Sequence, residues 1–286
     1  MRLSSGFLPA LLLFIYSPAL LARTPDPPAV PSPMAALTRD SLPPAPAKAR
    51  QKIEAPYLKN RLKINVSSFF LNNYSFSYER SLTRKISFVA GYRFMPRSVL
   101  GNISLIKKIV DQVAKDGDGI KNDINKLSLS SNAYTGEFRF YTGHKPGPRG
   151  FYFSLYGRYS QLNIDYAYEY ATGSKTYSIP IKASTKMWGA GLMIGAQWLI
   201  ARRITLDWHI LGGHYGSVSG DASGLADLSA MSPSDKEAVK EDIEGLINIG
   251  DKKFITATVT NQGVQAKIDG PMVGLRGAGI NIGIAF

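Results

Sequence analysis

Residues 184–200 read STKMWGAGLMIGAQWLI, and two sets of side chains separate at once. Trp188, Ala190, Leu192, Ile194, Ala196 and Trp198 fall on one parity, while Gly189, Gly191, Gly195 and Gln197 fall on the other. A period of two is that of a β-strand with two unlike faces. Trp188 and Trp198 share a face and stand ten residues apart. At ~3.3 Å per residue and a tilt of ~40°, they are separated by roughly 25 Å along a barrel axis. That is the height of a lipid-facing band with an aromatic girdle at each border. Two tryptophans in a soluble core would show the same spacing, so the other segments must decide.

The division recurs along the chain. Segments near 61–70, 74–81, 86–95, 132–141, 151–164, 204–215 and 272–286 join 184–200 to make eight. In 204–215, Ile204, Leu206, Trp208 and Ile210 alternate with Thr205, Asp207 and His209. In 86–95, Ile86, Phe88, Ala90, Tyr92 and Phe94 oppose Ser87, Gly91 and Arg93. Several connections are short: LTRK (82–85), TGHKPGPRG (142–150) and ARR (201–203). Those after the third and seventh segments are long, and the fifth-to-sixth connection extends around EYATGSKT. LNN (71–73) is short where the alternation would place a long one. Short turns at one end and long loops at the other are the layout of an outer-membrane barrel, whereas a soluble sandwich shows no such bias. The expected fold is therefore all-β: a closed, eight-stranded antiparallel transmembrane barrel spanning residues 57–286, with short helices in two long extracellular loops.

The chain of 286 residues has a formal net charge of +13, 27 Gly, 15 Tyr and no Cys. No cysteine means no disulfide, no thiolate metal site and no lipidated cysteine after a leader. The basic charge by itself suits nucleic acid or lipid phosphate equally well. The N-terminus decides between them. MRLSSGFLPALLLFIYSPALLA (1–22) has Arg2, an apolar run from Phe7 to Tyr16 and small residues at Ala19 and Ala22, the pattern of a secretory signal peptide cleaved after Ala22. An exported protein has no nucleic-acid partner to meet. Residues 23–56 are Pro-rich and read as a disordered periplasmic linker.

The polar parity carries charge. Lys63, Glu79, Arg93, Glu137, Arg139, Arg158 and Asp207 lie on it, with His209 beside Asp207. In an eight-stranded barrel the interior is just wide enough for side chains to fill. Charges there are expected to pair across the lumen and plug it. The final strand must close against the first, since an unpaired edge cannot face lipid. Its outward set is Ile280, Ile282, Ile284 and Phe286.

From about Asn60 to Phe286 the chain resembles a Bacteroidota family of outer-membrane β-barrels of unknown function, of the small OmpA/OmpX-like architecture. The resemblance rests on SFSYERSL (75–82), GEFRFYTG (136–143), RGFYFSLYGRYS (149–160), GAQW (195–198), LDWHILGGHYG (206–216) and DGPMVGLRGAGINIGIAF (269–286). It implies a fold and a location, with no reaction or cofactor. It also implies that the terminal Phe286 serves as the strand signal read by the barrel assembly machinery. Outer-membrane lipid and lipopolysaccharide are the other partners it implies.

Other chemistry is sparse. Asp207 and His209 share the inner parity, with Ser217 and Ser219 further along, so a barrel-embedded lipid-modifying enzyme is one rival reading. Inward hydrogen bonding accounts for the same residues. A small channel is the other rival and would need lumen charges that line water. His144 sits in a turn and His214 near a rim, which leaves no metal cluster. DGDGIKND (116–123) has Ile120 and Lys121 where a calcium loop needs an oxygen ligand and Gly, so it reads as a flexible polar loop. ISLIKKIVDQVAKD (103–116) and SPSDKEAVKEDIEGLINI (232–249) are helical by periodicity and are expected to pack on each other as a lid. The expected role is structural or surface-interacting, and not enzymatic.

Overall fold

The computed structural model describes residues 57–113, 118–172, 175–246, 248–249 and 252–286. The expected signal peptide (1–22) and the expected Pro-rich linker (23–56) lie outside these. Strands β1 (Asn60–Asn65), β2 (Tyr74–Ser81) and β3 (Ile86–Val99) are followed by helices α1 (Ser104–Val113) and α2 (Asp118–Lys126). Strands β4 (Leu127–Tyr141), β5 (Gly150–Ala171), β6 (Thr176–Ile200) and β7 (Ile204–Leu225) come next. After them come helix α3 (Pro233–Glu244), the short pair β8 (Asn248–Ile249) and β9 (Lys252–Lys253), and strands β10 (Ile255–Thr260), β11 (Gly263–Arg276) and β12 (Gly279–Ala285).

Consecutive strands from β1 to β7 pair antiparallel. β7 then takes β11 along its far half and β12 along its near half, and β12 pairs β1. The ring is closed, with β11 and β12 forming one interrupted eighth wall. The backbones of Asn60 and Phe286 exchange hydrogen bonds of 3.0 and 2.9 Å, so the terminal aromatic residue is part of the closing seam. Among the described residues no helix is long and apolar enough to cross a membrane.

The strands are longer than their sequence pattern suggests. β5 and β6 run 22 and 25 residues, about twice what a tilted strand needs to cross a bilayer. The wall is uneven: β4 to β7 rise far above β1, β2 and β12. Above the low side β11 pairs with β10 in place of β1.

Three expectations need correction. The first segment does not stay extended to Phe70. Asn65 Oδ1 accepts from the Ser68 amide at 2.9 Å and from the Ser67 hydroxyl at 2.7 Å, and this local bonding turns Ser67–Leu71 into a 3₁₀ helix. Residues 118–123 of the supposed polar loop begin helix α2; residues 116–117 lie outside the described set. The helices do not stack into one lid. Ile103, Ile106 and Val110 join Ile124 of α2, Leu71, Leu129 and Leu162 in one apolar cluster at the ring's mouth. Val239 and Ile243 of α3 pack against Tyr168, Ile179, Ile255 and Val264 in another. Helix α3 begins as its sequence indicates, with the Ser232 hydroxyl accepting from the Asp235 amide at 3.1 Å and Pro233 in the first turn.

Candidate functional site

The outer surface of the ring changes character at a fixed height. On β5 the outward residues Phe151, Phe153, Leu155 and Tyr159 give way to Gln161, Asn163, Asp165 and Glu169. On β6 the outward set runs from Trp198, Ile194 and Leu192 up to Trp188, then to Lys186, Ser184 and Lys182. Tyr159 and Trp188 are register partners, and Tyr92, Tyr134 and Tyr159 are partners in turn across β3, β4 and β5. A belt of amphipathic rings marks the border. Trp188 is 63% exposed and Trp198 43%, so neither is a core residue.

The inward faces do the opposite. Above the belt they are apolar: Leu162, Ile164 and Tyr168 on β5, Ile179 and Met187 on β6. Below it they are polar and charged. The upper part is built like a soluble protein, and the lower part is built inside out.

The lower interior holds one continuous network. Lys63 donates to Glu79 Oε2 at 2.9 Å, Asp207 Oδ2 at 2.6 Å and Gln197 Oε1 at 2.9 Å. Arg139 donates Nη1 to Asp207 Oδ2 at 2.7 Å, and Nε and Nη2 to Glu137 Oε2 at 2.9 and 2.8 Å. Arg276 bonds the other oxygen of Glu137. Tyr152 donates to Asp207 Oδ1 at 2.9 Å and Tyr141 to Glu79 Oε1 at 2.7 Å, with Ser87 on the same oxygen of Glu79. Lys63, Glu79, Glu137, Arg139 and Asp207 are all buried. Buried ions are tolerable only when paired and fully hydrogen-bonded, and this network supplies both conditions.

A close approach makes part of it possible. Tyr152 faces Gly195 across β5 and β6, and a Cβ at Gly195 would stand 2.4 Å from the Tyr152 ring carbon and hydroxyl. Only glycine lets the tyrosine reach Asp207.

The network is covered at both ends. Below, the turn between β4 and β5 tucks inward. Gln197 Nε2 donates to the Pro148 carbonyl at 2.9 Å, and the Gly147 amide donates to the Arg84 carbonyl at 3.1 Å. Above, the apolar cluster of α1 and α2 closes the mouth. Between them is a cavity of about 60 Å³, lined by Arg93, Arg139, Arg158, Arg276, Glu137 and His209 among others. That is room for a few waters.

Most sequence-predicted lumen residues meet here. Lys63, Glu79, Glu137, Arg139, Asp207 and His209 form the network, while Arg93 and Arg158 line the cavity above it. Sequence reading missed Arg276 and placed His214 at a rim, because β-bulges change the parity. β7 skips Ile210 in its pairing with β6, so 209 and 214 both point inward. His214 is buried against Tyr156, whose hydroxyl lies 3.0 Å from Nδ1. The break at Gly277–Ala278 turns Arg276 inward in the same way. The bulge also corrects Ser217 and Ser219: Ser217 is the register partner of outward-facing Trp188, so these serines do not share the interior with Asp207 and His209. His209 instead lies 3.2 Å from Arg139 and 3.2 Å from Asn281. His144 is exposed in the β4–β5 turn. Among the described residues no cluster of His, Asp and Glu is placed to hold a metal ion.

No family model and no curated protein matches the chain. One solved structure that resembles it is the crystal structure of Acinetobacter baumannii CarO, at 11% identity over 81% of this chain and 98% of that one, with a TM-score of 0.35. That score is too low for the likeness to bear on function.

Proposed function

We propose that this chain is an integral outer-membrane barrel with a closed lumen, whose structural or surface-interaction role is carried by the extension above the bilayer. The observation that carries this reading is the polarity inversion at the Tyr134–Tyr159–Trp188 belt. Water on both sides of the wall gives no reason for the outward face to be apolar below one height and polar above it. A hydrocarbon layer roughly 25 Å thick gives that reason. Lipid covers the lower band, and the tall polar wall with helices α1–α3 stands among lipopolysaccharide and the exterior. The seam formed by β12 and Phe286 is the element offered to the barrel assembly machinery. Kinship with Bacteroidota barrels rests on the sequence motifs alone.

Paired lumen charges and the elements that cover both ends favour a barrel that does not conduct and does no chemistry. The test is single-channel recording on the refolded full chain in a planar bilayer. Silence is expected; steady openings that shrink on Arg93→Gln or Arg139→Gln would replace this reading with a channel. Protease protection of the β5 and β6 segments below the belt, with cleavage confined to the extension, checks the insertion itself.

A further inference from the structure

The three short turns at the lower end form a surface that the proposed role leaves unused. Each carries a pair of cations: Arg84 and Lys85 between β2 and β3, Lys145 and Arg149 between β4 and β5, Arg202 and Arg203 between β6 and β7. None of the three turns contains Asp or Glu. All six side chains are exposed or half-buried. Alternating strands bring the turns to one rim, just below the outward apolar residues Phe151 and Trp198. The opposite end differs: there Lys and Arg are nearly matched by Asp and Glu along residues 97–126, 165–186 and 221–269.

A second observation concerns the β6–β7 turn. Ala201 and Arg202 both take left-handed backbone angles, φ 46° and 68°. Asn, Asp or Gly would adopt such angles at lower conformational cost. An arginine stands there although the backbone disfavours it, so the turn geometry does not explain its presence.

We infer that this rim is a binding surface for the phosphates of anionic phospholipids in the leaflet facing the short turns. The inference rests on the membrane reading above. Cations set immediately beyond an apolar band lie at the depth of lipid phosphates. Each gains from an anionic leaflet, and the gain falls off within a Debye length. The balanced charge of the other end gives no comparable attraction, so the preference belongs to one leaflet.

The full chain carrying Trp188→Phe, which leaves Trp198 and Trp208 as lower-band reporters, is reconstituted in phosphatidylcholine vesicles. Tryptophan quenching by brominated phosphatidylglycerol is then compared with quenching by brominated phosphatidylcholine. A preference of about fivefold for the anionic lipid is expected, the weight of a single cation beside an anionic surface. It should shrink in 0.5 M NaCl, fall by at least half on Lys85→Gln with Arg202→Gln and Arg203→Gln, which removes three of the six cations, and survive Lys182→Gln with Lys186→Gln above the belt. Equal quenching by the two lipids overturns the inference, as does a preference indifferent to salt. Should the turn variant fail to fold, the salt series on the parent decides. Displacement of the preference by millimolar inorganic phosphate would assign the turns to a soluble anion and also overturn it. Failure to insert into any vesicle would instead remove the membrane reading on which the inference stands.

Discussion

Lys63 and Arg139 donate to the same oxygen, Oδ2 of Asp207, at 2.6 and 2.7 Å. Strands on opposite sides of the ring are thereby tied through one buried carboxylate. Removing that carboxylate while leaving both cations should cost about 3–5 kcal/mol. Asp207→Ala is expected to lower the temperature at which the folded form unfolds on heated gels. Asp207→Ala combined with Lys63→Met should cost less than the sum of the two single changes.

Gly195 and Tyr152 set up a second, steric test. Gly195→Ala forces the Tyr152 ring away from Asp207, and overpacking of this kind costs about 1–3 kcal/mol. Tyr152→Phe removes only the hydrogen bond. A Cβ at Gly195 would also stand 2.6 Å from the Trp208 carbonyl, so the double variant Gly195→Ala with Tyr152→Ala should recover only part of the loss, measured by urea unfolding in detergent micelles.

The bulge at Ile210 predicts which side chains water reaches on the upper half of β7. The natural chain has no cysteine, so single-cysteine variants report cleanly. Ser219→Cys should react rapidly with an aqueous maleimide, and Val218→Cys, beside Met187, should react slowly. The reverse order would mean that the bulge does not form.

Helix α3 is held partly by Glu244, which accepts from the Ala257 amide at 3.1 Å and from Lys253 at 2.9 Å. These bonds hold its carboxyl below the usual carboxylate range. A depressed folded value stabilises the docked helix fully above the unfolded value, roughly 4.3. The contribution is lost as pH falls through the folded value. Protection of the β10 and β11 amides against hydrogen exchange, taken relative to the intrinsic rate at each pH, should therefore fall on acidification below that range. Glu244→Gln should show reduced protection already at neutral pH and no further loss of protection across the same interval.

The lower half of the fold was legible in the sequence because each strand there repeats one rule, apolar outside and polar inside. The eight segments were found where that rule holds. They were cut short at Asn132, Ile164, Ser184 and Tyr215 because the rule reverses near those residues. A reversed pattern of the kind in Gln161–Ala171 reads as polar loop when only one rule is sought. The lumen charges were legible for the same reason. Arg276 and His214 were not, since parity cannot be carried past an unmarked bulge. The tyrosines of the network are also legible in principle: Tyr152 shares the parity of Arg158 and Tyr141 that of Arg139, and their hydroxyls mark them as inward partners for charge.

The tucked β4–β5 turn has a consequence for the mechanics of the floor. Its Gly147 amide is held by the Arg84 carbonyl in the β2–β3 turn, and its Pro148 carbonyl by Gln197 on β6. The floor is therefore anchored on both sides of its own hairpin. Releasing one anchor leaves the turn hanging from the other, so it would swing aside like a flap on a single hinge.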